Sequence, residues 1–136
     1  MSLCIDASAA LALHFEDEFR PFELLEERLA GGEEAFTAPN FFQEVMEALR
    51  RAIREGRTTK ADANAWLTVL DSYNIIPIPV SPVAGCSTWI LAEKLNVSAY
   101  DAGYVAVAYA RGLPLWTRDA PLVNKLKREG IDYLPD

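Results

Sequence analysis

Two rhythms of apolar residues run along this chain. Short apolar runs at "LCID" (3–6), "EAFTA" (34–38), "IIPIPV" (75–80), "LPLWT" (113–117) and "IDYL" (131–134) predict strands. Between them apolar residues return every three or four positions, which predicts helices. One helix opens at Ser8 in "SAALALHF", a second carries Phe22, Leu25 and Leu29 and stops at Gly31-Gly32, and a third runs from Pro39 to about Gly56. Others follow over 59–73, "PVAGCSTWILAEKLN" (82–96), 99–111 and "PLVNKLKREG" (121–130). The segment 99–111 is apolar nearly all round, as a buried helix is. Pro77 and Pro79 put the third strand at a sheet edge or make it end early.

Strands alternating with helices predict an α/β fold: one parallel sheet covered on both faces, in a single domain spanning 1–136. No internal repeat or linker divides the chain. In such sheets sites form outside the carboxyl ends of the strands. Asp6 closes the first strand there, and Asp119 follows "LPLWT" in the same topological position. Glu44 lies in the early turns of the helix entered from "EAFTA". That helix's apolar face (Phe41, Phe42, Val45, Met46, Leu49, Ile53) leaves Glu44 at its flank and Glu47 toward water. Asp101 sits in the first turn of the buried helix, three residues after Ser98, a spacing that fits a capping box.

Each aspartate taken singly reads equally well as a helix cap or as a ligand. If the four acids converge, their repulsion needs either a proton or a cation. An all-oxygen set selects Mg²⁺, or Mn²⁺, over zinc, and Mg²⁺ held by a few carboxylates beside phosphate oxygens describes a phosphodiester-cleaving site. There is no glycine-rich phosphate loop. His14, the only histidine, follows an acid too remotely for a triad.

Composition narrows this further. An apolar share of 51% with 24% charged residues is that of a folded globular chain. No apolar run reaches the roughly 20 residues of a membrane span, and the N-terminus lacks a secretory pattern, so a cytoplasmic protein with no membrane association is expected. Cys4 and Cys86 read as buried free thiols. The net charge of −7 argues against binding duplex DNA by bulk electrostatics. The charge is unevenly spread: eleven acids against Arg20 and Arg28 up to Glu47, then Arg50, Arg51, Arg54, Arg57 and Lys60 around a lone Glu55. That basic run reads either as a solvated helix end or as a phosphate contact.

"LCIDASAAL", "APNFFQEVMEALRRA", "VSAYDAGYVAVAYARG" and "LWTRDAPL", in this order, resemble the PIN domain, most closely the short VapC-type toxins of prokaryotic toxin–antitoxin pairs. The likeness covers essentially the whole chain. It implies a three-layer α/β/α sandwich and a magnesium-dependent endoribonuclease whose acids fall on Asp6, Glu44, Asp101 and Asp119. Ser8 and Thr117 would support them by hydrogen bonding. It also implies an RNA substrate, a homodimer, and an antitoxin that blocks the site; exposed aromatics on helices before Gly56 are the candidate dimer face. Two other readings stand beside it: a housekeeping PIN nuclease of RNA maturation, and a non-catalytic module whose acids are only caps.

Overall fold

The computed structural model describes residues 1–15, 22–83 and 87–135. Its five strands, β1 (Ser2–Ile5), β2 (Glu34–Thr37), β3 (Ile75–Pro77), β4 (Leu115–Trp116) and β5 (Tyr133–Leu134), form one sheet in the order β3-β2-β1-β4-β5. Every pairing is parallel, with Cys4 opposite both Phe36 and Leu115, and Ile5 opposite Trp116. The helices are α1 (Ala7–His14), α2 (Glu23–Ala30), α3 (Phe41–Arg54), α4 (Lys60–Ser72), α5 (Thr88–Leu95), α6 (Ala99–Arg111) and α7 (Ala120–Glu129).

Chain order explains the layers. From β1 the chain moves outward through β2 to β3, then crosses back over β1 to β4 and β5. With the right-handed crossovers general to such units, the outward run lays α1 to α4 on one face and the return run lays α5 to α7 on the other. Accordingly α1 packs on α3, while α6 packs on α5 and across β1, β2 and β4. The result is a three-layer α/β/α sandwich. The direction reverses between β1 and β4, so the carboxyl ends of these two strands flank the crevice where such sheets place ligands.

The core follows the apolar rhythm. Leu3, Cys4 and Ile5 are buried in β1, and Ala102 to Ala108 are buried without a break in α6. Three differences from the sequence pattern have local causes. The third strand ends at Pro77 with the Ile78 N–H still donating to the Thr37 carbonyl at 2.8 Å; β3 is an edge strand, where the nitrogen of Pro77 faces away from the ladder. Helix α5 begins at Thr88 rather than Pro82, because Ser87 caps it by accepting from the Ile90 N–H. Met46 is exposed, the buried stripe of α3 being Phe41, Val45, Leu49 and Ala52. Cys86 lies outside the described residues. Cys4 is a fully buried thiol whose pKa is pushed up to about 12, chiefly by burial and then by Asp6.

Candidate active site

Asp6 leaves β1 in an extended conformation (φ −104°, ψ 175°) and its side chain caps α1, accepting from the Ala9 N–H at 2.9 Å. The cap is Asp6 itself, so α1 starts at Ala7, one residue before Ser8. Ser8 Oγ donates to the same Asp6 Oδ1 at 2.7 Å and lies 3.2 Å from Thr117 Oγ1. The parallel register that sets Ile5 against Trp116 thus brings residues 109 positions apart to one carboxylate. Asp6 is almost wholly buried, at 4% exposure. Burial raises its pKa to about 6, Asp119 adds to that rise, and the bonds from Thr117, Ser8 and Ala9 oppose it.

Asp119 follows β4 as Asp6 follows β1. Its Oδ1 caps α7 by accepting from the Leu122 N–H at 3.1 Å, and its own N–H donates to Thr117 Oγ1. Asp101 sits in the first turn of α6, where Ser98 Oγ accepts from its N–H at 3.1 Å. It is half-buried and its carboxyl is pushed above the ordinary range, first by burial, then by Asp119, then by Glu44. Lys125, a cation opposing that rise, is itself tethered to the Asn96 carbonyl.

Glu44 is held on both sides. Asn40 Nδ2 donates to Oε1 at 2.7 Å, and the Tyr104 hydroxyl donates to Oε2 at 2.7 Å. Tyr104 is buried, and its phenol is pushed upward by burial and by that bond. Neither Asn40 nor Tyr104 stood out in the sequence, yet both spacings are helical neighbours: Asn40 lies four residues before Glu44, and Tyr104 three after Asp101. Glu47 instead faces water, beside Arg50.

All four acids therefore reach the carboxyl edge, and their charges press on one another in sequence: Asp6 with Asp119, Asp119 with Asp101, Asp101 with Glu44. A carboxylate offers about four lone-pair sites, so a cap on one oxygen does not exhaust it. The set is all-oxygen: the Cys4 thiol stays protonated, and His14 is turned to Thr58 and Trp66. Among the described residues no three Asp, Glu, His or Cys side chains stand close enough together to hold a metal ion by themselves. Such a set fits a hard divalent cation that keeps water or phosphate oxygens among its ligands.

The family model of the PIN domain matches residues 3–125. The chain is 32% identical to the VapC ribonuclease Mb0985 of Mycobacterium bovis over 121 residues, covering 88% of this chain and 87% of that protein. It is 30% identical to Ribonuclease VapC3 of Pyrobaculum aerophilum, covering 92% and 95%. Among solved structures, PAE2754 of the same archaeon superposes with a TM-score of 0.69 at 27% identity, over 92% of this chain and 79% of that one. The chain belongs to the PIN-domain family.

Proposed function

We infer that this protein is a metal-dependent endoribonuclease, the toxin of a toxin–antitoxin pair, which hydrolyses RNA phosphodiester bonds at the carboxyl edge between β1 and β4. The observation that carries this reading is the gathering of Asp6, Glu44, Asp101 and Asp119 at the sheet's switch point, in a chain similar to VapC ribonucleases over most of its length. We assign the cation as Mg²⁺, with Mn²⁺ as a substitute. Asp6, Asp101 and Asp119 would hold it, with Glu44 completing the pocket directly or through water. A divalent cation held there would supply polarisation of a phosphoryl oxygen and a lowered pKa for an attacking water.

The chain's own residues do the rest. Ser8 and the Ala9 N–H fix the Asp6 rotamer, so that its remaining lone pairs face one direction. Asn40 and Tyr104 fix Glu44, which can then accept a hydrogen bond from the attacking water and orient it. Thr117 joins the two strand ends through Ser8 and the Asp119 N–H.

The same reading includes one domain over 1–136, a cytoplasmic location and an antitoxin partner, for which an acidic toxin suits a basic segment. No helix among the described residues is long and apolar enough to cross a membrane. It also includes a homodimer. Among the described residues the strongly exposed aromatics are Trp89, Tyr100 and Tyr109, on α5 and α6, which supports a dimer face there in place of the helices before Gly56. The test is cleavage of single-stranded RNA with Mg²⁺ or Mn²⁺ by the wild type and by Asp6→Asn and Asp101→Asn. Undiminished cleavage by the variants would overturn the assignment.

A further inference from the structure

A second groove opens beside the acids. It has a volume of about 260 Å³ and lies between α1 and α3, with Ser8, Leu11 and Phe15 along one wall, Arg51 on the other, and Arg57 and Arg118 at its margins. On α1 the residues at i, i+3 and i+7 share one face, and on α3 Arg51 lies seven residues beyond Glu44, nearly in line with it. Both walls therefore lead away from the acidic pocket, and Arg51 stands about 10 Å along the helix axis from Glu44.

Ser8 is the partition between the two. Its hydroxyl donates to Asp6 Oδ1 at 2.7 Å on the acidic side and accepts from the Arg118 N–H at 2.8 Å on the groove side. Arg57 is already arranged, its guanidinium lying 4.5 Å from the centre of the Phe15 ring. Neither Arg51 nor Arg57 has an ion-pair partner among the described residues. Three exposed guanidinium groups around one groove are notable in a chain of net charge −7.

We propose that this groove is a phosphodiester subsite, in which Arg51, Arg57 and Arg118 grip the RNA backbone beyond the bond being cut. The proposal rests on the ribonuclease reading and extends its site. A strand of phosphates entering four carboxylates is repelled except where cations meet it, and planar guanidinium forks match phosphate oxygens. The apolar sides of Leu11 and Phe15 offer a surface for ribose or base. The occupant is a single strand, because its backbone can bend from the crevice into the groove.

The test uses full-length protein carrying Asp6→Asn, which should hold RNA without cutting it, and a fluorescein-labelled single-stranded oligoribonucleotide. Adding Arg51→Gln and Arg57→Gln should weaken binding about tenfold or more and flatten the salt dependence by about 0.7 in log–log slope per lost contact. In the wild-type background the pair should raise KM for the oligonucleotide while leaving kcat within about twofold. Arg57→Lys, which keeps the charge but loses the fork, should fall between the two, a graded response that misfolding would not give. Unchanged RNA affinity and slope overturn the groove. So does retained RNA affinity with lost affinity for an acidic protein partner, which would make it a protein-docking surface. Wild type that cuts no RNA overturns the ribonuclease reading and this one together; wild type that cuts, with variants that bind RNA normally, removes the groove alone.

Discussion

At Asp6 the fold has removed water from a carboxylate and returned only part of what water gave. Its pKa near 6 lies above the 3.8 of an exposed aspartate, so between these values the native state holds the proton more tightly than the unfolded chain does. Stability therefore declines as pH rises from about 4 to about 6 and stays lower above that, a contribution on the order of 3 kcal/mol. Chemical denaturation across this range in EDTA should show the decline, and Asp6→Asn should lack it. A profile identical in both proteins would refute the assignment. Asparagine caps helices about as well as aspartate, so Asp6→Asn and Asp119→Asn should keep the fold while cleavage drops about a hundredfold or more. Tyr104→Phe should lower kcat by about tenfold with little change in KM, since it frees Glu44 Oε2 without touching substrate, and should cost about 1–2 kcal/mol in melting experiments.

Among the elements, α6 shows what could be read in advance and what could not. Its burial and its cap at Ser98 were legible, because an apolar run and a serine three residues before an acid are local signals. That Tyr104 would meet Glu44, 60 positions earlier in the chain, was not, since nothing local states which helices meet. The aspartates posed the opposite problem: their capping was legible and is realised at Asp6 and Asp119, but capping and convergence give the same local pattern. Which carboxylates share an edge follows from strand order, and strand order is not written in any one segment. The exit from α6 is built on Gly112, at φ 62°, a conformation that costs a residue with a Cβ about 1–2 kcal/mol. Gly112→Ala should lower stability by about that amount in urea titrations, and an unchanged midpoint would show that the turn relaxes.

For the whole molecule, two surfaces are open to test. Ile90 and Tyr109 line a groove of about 610 Å³ between α5, α6 and the end of α7, and Trp89 on α5 is also strongly exposed. If this is the dimer face, Trp89→Ser with Tyr109→Ser should shift sedimentation toward the monomer without lowering the melting temperature of that monomer. At the acidic crevice, millimolar Mn²⁺ should raise the melting temperature, by the equivalent of about 2.7 kcal/mol at a hundred times Kd. The Asp6→Asn/Asp119→Asn pair should lose that gain, whereas acids that were only caps would give none to lose.

The bridge from Ser8 to Thr117 sets a schedule as well as a geometry. Synthesis delivers Asp6 first and Asp119 more than a hundred residues later, and β1 lacks its β4 neighbour until then. Until β4 is made, the growing chain lacks the arrangement that gathers the acids at one edge. The acidic crevice is complete only once β4 and Asp119 have joined β1.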